Sequence, residues 1–296
     1  MGNWQTTTAR LAAAVVLGAM LTAGCSAAAV STSAADSASG PVDVMYAGSV
    51  VGLMQGQLGP GFQRATGDTF TGFAAGDKDL AAEIKDKVHP ADALVVADPS
   101  IDRSLEGKAN GDWVSWYATY ATSPLILGYN PHSKFAAALE TKPWYQVITQ
   151  PGFRLGFSDP KTDPKGAFAV QAMIDIAAKQ SLPSLKAIAT SAANEYPEET
   201  LVGRLQSGQL DASFFYLGEA IAARIPTVPL TGETFKATYT VTVLNNAPHE
   251  GAAATFVRYL LGPGGRAILK RDGFTPITPR VAGSGVPSGL RNLLPR

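Results

Sequence analysis

The chain is poor in the residues that most chemistry needs. Its 296 residues include one cysteine, Cys25, and three histidines. A lone cysteine excludes an internal disulfide and any CxxC metal or redox motif. His89, His132 and His249 are far apart and share no ligand spacing; His89 and His249 adjoin prolines, as loop residues do. Charged residues make up only 16%, with Lys+Arg and Asp+Glu equal at 24 each, so there is no basic excess for nucleic acid. No GxSxG elbow and no GxxxxGKS or GxxxxGKT phosphate loop occurs. Nothing suggests a nucleophile–base pair, so the chain is not expected to be an enzyme. The apolar run LAAAVVLGAML at 11–21 is too short to span a bilayer as a helix.

What is present is a globular body behind a distinctive start. Hydrophobic residues are 46% of the chain, and the length allows one large domain or two smaller ones. A polar start carrying Arg10, the short apolar run, and then Thr22, Ala23 and Gly24 describe a secretory signal. LTAGC at 21–25 resembles the lipobox of bacterial lipoproteins, which implies removal of 1–24 and lipidation of Cys25. Residues 25–40 are small and polar without periodicity, a flexible tether. The expected location is secreted, lipid-anchored on the outer face of the cell membrane or periplasmic, with the anchor as the only membrane contact.

From Pro41 onward strands alternate with helices. Strands are expected at 42–46, 69–73, 93–97, 125–129, 153–157, 212–216 and 239–244. Helices are expected at 50–66, 77–87, 144–149, 163–179, 197–206, 218–224, 252–261 and 265–271. The first should break near Gly59-Pro60-Gly61 and stop at Gly67. Residues 283–296 read as a loose tail. This alternation predicts an α/β fold with mainly parallel sheets, which bind ligands where strands end and helices begin.

Polar residues gather at such joints. In VMYAGSV at 44–50 a strand gives way to a helix at Gly48-Ser49. Asp77, Asp163 and Glu198 open helices, and Tyr216 ends a strand. Each has a plainer reading: Ser49, Asp77 and Asp163 as helix caps, Glu198 as a complement to a helix dipole, Tyr216 as core.

The order of short motifs along 42–280 resembles the periplasmic substrate-binding proteins of ABC transporters. More narrowly, it is similar to the molybdate/tungstate-binding family, tungstate-type branch. The matching stretches are AGS at 47–49, PADALVVAD at 90–98, DWVSWYATYATSPLILGYNPHSKFA at 112–136 and LGFSDPKTDPKG at 155–166. YPEETL at 196–201, SGQLDASFFY at 207–216, YTVTVLNNAPHEGAAATFVRYLL at 239–261 and GFTPITP at 273–279 complete the set. The resemblance implies a two-lobed type II periplasmic-binding-protein-like fold with a two-strand hinge. Lobe 1 would comprise 41–122 plus 238–296, and lobe 2 would comprise 123–237. The implied function is capture of molybdate or tungstate for an ABC permease by a monomer without cofactors.

It also implies site roles. Gly48 and Ser49 form an anion loop in which Ser49 donates to an oxo group. Backbone N–H groups near Gly76 and Ser123 do the same, and Tyr216 donates its phenol proton. Asp163 and Glu198 match the two carboxylates that bond the metal centre; no free cation is implied. A carboxylate about 4 Å from a dianion costs roughly 8 kcal/mol at an effective dielectric near 20. Two such groups make sense only if their oxygens bond a hexavalent centre that accepts extra oxygen ligands. Sulfate cannot expand its coordination in that way. The chain departs from the family where Asp77 replaces a serine and Lys165 a cysteine, and where Ala167 and Phe168 replace an aromatic–arginine pair. Asp77 either caps its helix and points away, with Lys78 nearby, or enters the site. In the second case a third acid facing a dianion is unfavourable and speaks for the alternative ligands: another oxyanion, a cation held by Asp77, Asp163 and Glu198, or a small organic solute.

Overall fold

The computed structural model describes residues 40–232 and 234–294. The expected signal 1–24, the lipidation of Cys25 and the tether up to residue 39 lie outside the described residues. No described helix is long and apolar enough to cross a membrane.

Ten strands organise the body: β1 (Pro41–Ala47), β2 (Thr69–Ala75), β3 (Ala93–Val96), β4 (Trp116–Tyr129), β5 (Leu155–Ser158), β6 (Glu195–Tyr196), β7 (Ala212–Tyr216), β8 (Thr227–Pro229), β9 (Lys236–Val243) and β10 (Thr275–Gly283). Their order is β2-β1-β3-β9-β4-β7-β5-β6, with β8 and β10 also paired to β4. One lobe is built around β1, β2 and β3, the other around β5, β6 and β7. The long strands β4 and β9 run side by side at the centre.

The sheet is mixed, not mainly parallel as the alternation suggested. β1 is parallel to β2 and β3, and β5 is parallel to β6 and β7. Every pairing of β4 is antiparallel. The cause is β4 itself, which serves as the return strand for both lobes. Its first half, residues 116–124, is extended although no strand was expected there; most of it is buried on both faces, so it shows no alternation of apolar and polar residues. At Pro124 the strand changes partners: Ser123 pairs with Ala237 of β9, and Leu125 with Tyr216 of β7. A proline, lacking an N–H, suits the point where one ladder ends and another begins.

The helix after β1 does not break at Gly59-Pro60-Gly61. A widened π turn over Met54–Leu58 leads into the helix Gly59–Thr66. The wider turn relieves the clash that Pro60 would make with the carbonyl four residues back. Gly67 ends this helix in the left-handed conformation, φ 82°, as expected. The C-terminal segment is not loose either. β10 lies along β4, and the side chains of Leu290 and Leu294 are buried in the main core.

Candidate functional site

Where β1 ends, the chain makes one tight turn, Gly48–Val50. Ser49 is buried and does not cap this turn; its Oγ accepts the hydroxyl of Tyr239, on β9, at 3.4 Å. The second joint is Gly76-Asp77, between β2 and the helix Asp77–Asp86. The cap here is Gly76, and Asp77 is the first helical residue. Asp77 does not point away. Its Oδ2 accepts the Ala97 N–H at 2.8 Å, while Oδ1 is buried without a hydrogen-bond partner. Lys78 leaves its side chain exposed, and its backbone N–H donates to the Thr162 carbonyl at 2.9 Å. That bond ties the first lobe to the loop leading into Asp163.

Asp163 is a true N-cap, as its position before Pro164 suggested. Its Oδ1 accepts the Lys165 N–H at 3.1 Å at the head of the helix Pro164–Gln180. Its Oδ2 is buried and unpartnered. Glu198 opens the short turn Glu198–Thr200; its Oε1 is ion-paired with Lys165 Nζ at 3.1 Å, and its Oε2 is buried without a partner. It crosses to the first lobe: a Cβ added to Gly48 would meet Glu198 Oε2 at 2.6 Å. Tyr216 ends β7 with a buried, unpartnered hydroxyl. Ser123, beside the partner switch in β4, accepts the Gly218 N–H at 2.9 Å, which leaves its hydroxyl proton to donate.

Asp77, Asp163, Glu198 and Tyr216 therefore share one buried neighbourhood; Gly48 borders it through Glu198, Ser49 through Tyr239, Gly76 through Asp77, and Ser123 only through the Gly218 N–H. Two more join them that sequence reasoning did not place there. Lys165 Nζ lies 3.0 and 2.7 Å from the two Glu219 oxygens and 3.1 Å from Glu198 Oε1. The sequence marked Lys165 only as a departure from the family pattern. Glu219 carried no signal, because an acid in the first turn of a helix reads as an ordinary dipole complement. Tyr120 and Tyr239 back the site, with Tyr239 6.2 Å from the Tyr216 ring centre and 6.4 Å from that of Tyr120.

The electrostatics follow from crowding four acids round one cation where water is excluded. Asp77, Asp163, Lys165, Glu198 and Glu219 are between 0% and 6% exposed. Burial pushes Asp77 and Glu198 well above the usual carboxylate range, and the charge of neighbouring Asp163 pushes both further. Burial also raises Asp163, against the pull of Lys165, and lifts Glu219 to about 7 despite that same ammonium. Burial alone would lower Lys165; the carboxylates of Glu198 and Glu219 outweigh it and hold the ammonium charged. Tyr216 is pushed well above its ordinary value by burial and by Asp163, so its hydroxyl is a proton donor.

The neighbourhood thus presents two kinds of unmet valence. Tyr216 offers a proton with nothing to take it. Asp77 Oδ1, Asp163 Oδ2 and Glu198 Oε2 are buried carboxyl oxygens without a well-formed hydrogen bond, with Asp163 lying against Glu198 and Ser158. Apart from it, Asp43, Asp92 and His249 bring their ligand atoms within 4.8 Å of one another. There Asp92 already accepts the N–H groups of Asp43 and His249, at 2.8 and 2.7 Å, and acts as a tie between loops.

Comparison with known proteins adds a frame. The family model for bacterial extracellular solute-binding proteins matches residues 42–275. A solute-binding protein of Petrotoga mobilis is 27% identical over 83% of this chain and 86% of its own. The molybdate/tungstate-binding protein WtpA of Pyrococcus abyssi is 25% identical over 76% of this chain and 80% of its own. Among solved structures, the periplasmic molybdate-binding protein of Azotobacter vinelandii superposes with a TM-score of 0.62 at 22% identity, covering 79% of this chain and 98% of that one. This last likeness is one of fold.

Proposed function

The chain belongs to the family of bacterial extracellular solute-binding proteins, and from that premise we propose that it captures molybdate or tungstate between its two lobes and passes it to an ABC permease. The lobes would be 41–122 plus 238–296 and 123–237, turning about β4 and β9. Cys25 would carry the lipid that keeps the monomer at the membrane. The work of such a protein is binding, not catalysis.

The observation that carries the reading is the pairing of unmet donors with unmet carboxylate oxygens in one buried place. Asp163 and Glu198 come from separate segments, and each has an oxygen without a hydrogen-bond partner, beside the free hydroxyl of Tyr216. A bare cation would satisfy the acids and leave the hydroxyl unmet. Sulfate would satisfy the hydroxyl and be repelled by the acids. An oxyanion of a hexavalent metal answers both: its oxo groups accept from Tyr216 and Ser49, and its metal takes the carboxylate oxygens. Lys165 offsets part of the negative charge.

One observation favours a second reading, a solute-binding protein of the same fold for another ligand. Asp77 adds a third unmet carboxylate oxygen, which suits a cation. Thermal unfolding of the purified chain with molybdate, tungstate, sulfate, phosphate and divalent cations separates the two. A ligand at about a thousand times its dissociation constant adds roughly 4 kcal/mol, on the order of ten degrees for a chain of this size. The expected result is a large shift with molybdate and tungstate and a far smaller one with sulfate. A shift with a divalent cation alone transfers the site to the second reading.

A further inference from the structure

The buried lysine of the site has no obvious reason to be where it is. Lys165 stands in the first turn of the helix Pro164–Gln180, at the positive end of the helix dipole, which is the unfavourable end for a cation. Its side chain is fully buried. Its ammonium has three protons, and three carboxylate oxygens surround it: both of Glu219, at 3.0 and 2.7 Å, and Glu198 Oε1, at 3.1 Å. The rings of Phe215 and Tyr216 close its other side, with centres at 5.5 and 6.0 Å. Two hydrogen bonds go to Glu219 and the remaining side of the ammonium faces Glu198 Oε1, so the charge of Lys165 is directed at carboxylates and not at an open site.

What it holds is Glu198. With Oε1 pinned to the ammonium, the carboxylate can present only Oε2 elsewhere, and Oε2 lies against Gly48 in the anion loop of the opposite lobe. Glu219 in turn holds the lysine with both oxygens and accepts from the Tyr216 N–H at 3.4 Å, which anchors the pair to the end of β7. The chain of contacts runs from β7 through Glu219 and Lys165 to Glu198, and ends at the first lobe.

We propose that Lys165, held by Glu219, is a positioning residue that fixes Glu198 across the cleft onto the Gly48 loop, and so sets the preference for molybdate and tungstate over sulfate. This rests on the oxyanion reading of the site. Molybdate gains from a carboxylate held where it can bond the metal. Sulfate gains nothing from it.

The test is the double variant Lys165→Met/Glu219→Met, which removes one charge of each sign and leaves the formal charge facing the anion unchanged. Replacing a buried ion pair as a unit by apolar residues commonly preserves the fold. Affinities for molybdate, tungstate and sulfate are read by calorimetric titration, and the oxygen neighbours of the bound metal by X-ray absorption. The expected result is a loss of about 30-fold for molybdate and tungstate, fewer oxygen neighbours around the metal, and sulfate binding within about threefold of the parent. Unchanged molybdate affinity overturns the proposal, and so does an equal loss for all three anions, which marks a merely structural pair. Should the double variant fail to fold, Lys165→Gln/Glu219→Gln conserves both size and polarity and carries the same expectations. If the parent chain binds neither molybdate nor tungstate, it is the oxyanion reading that falls.

Discussion

Glu198 and Gly48 meet with no room between them: a methyl group on the glycine would sit 2.6 Å from Glu198 Oε2. Gly48→Ala therefore forces the carboxylate aside. Overpacking of this kind costs about 1–3 kcal/mol. Because the displaced group is the end of a side chain, the cost should fall on ligand capture more than on folding. The expected loss of molybdate affinity is about tenfold to a hundredfold, with the unfolding midpoint of the ligand-free chain little changed. Titration of the variant checks this, and an affinity equal to the parent's refutes it.

Glu219 makes stability depend on pH in an uncommon direction. Its pKa rises from 4.5 to about 7 on folding. A carboxyl group raised in this way binds its proton more tightly when folded, so its contribution is present at low pH and is lost as the pH climbs from about 4.5 to about 7. Burial drives Asp77, Asp163 and Glu198 the same way. Without ligand, the unfolding free energy should fall across this interval, by up to about 3 kcal/mol from Glu219 alone. Glu219→Gln should flatten the slope. A parent chain that grows more stable from pH 5 to pH 7 contradicts the assignment.

Asp102 is a buried acid beneath the central strands, raised to about 7 by burial. Its Oδ2 accepts the Thr240 hydroxyl at 2.6 Å, and its Oδ1 has no hydrogen-bond partner. Thr240→Val keeps the shape of the side chain and removes the donor. Leaving a buried acceptor unsatisfied costs about 1–3 kcal/mol. Urea unfolding at neutral pH should show that loss, and a variant as stable as the parent would mean that the bond contributes nothing.

Leu290 and Leu294 give the last segment a measurable role. Both are buried in the main core, 0% and 3% exposed. Leu290→Ala should cost about 2–5 kcal/mol. A change below about 0.5 kcal/mol, the usual effect of a surface substitution, would restore the loose tail that the sequence suggested.

The sequence shows the fold best where local signals decide it. ALVVA and ASFFY are short apolar runs bounded by turn residues, and both are strands. Asp163-Pro164 marks the start of a helix because both the cap and the proline act within one turn. The first half of β4 and all of β10 escape notice because they are extended by pairing with distant segments, not by their own alternation. The same division holds at the site. Asp163, Glu198, Ser49 and Tyr216 stand at joints that a reader can find. Lys165 and Glu219 are 54 residues apart, and a lysine early in a helix reads as solvent-facing. Segments distant in sequence, carrying Glu198, Phe215, Tyr216 and Glu219, make that lysine interior, and no local pattern encodes that.

The burial of the site also says something about time. Ser49, Asp77, Asp163, Glu198 and Tyr216 are each no more than 3% exposed. On the proposed reading, an ion held among these buried side chains would leave when the two lobes part about β4 and β9. How long it stays would then be governed by how often those two strands flex, and strengthening any one contact would lengthen the stay only so far as it made that parting rarer. On that reading the protein would work as a latch with a timer, and a partner that pried the lobes apart would collect the ion without competing for a single bond to it.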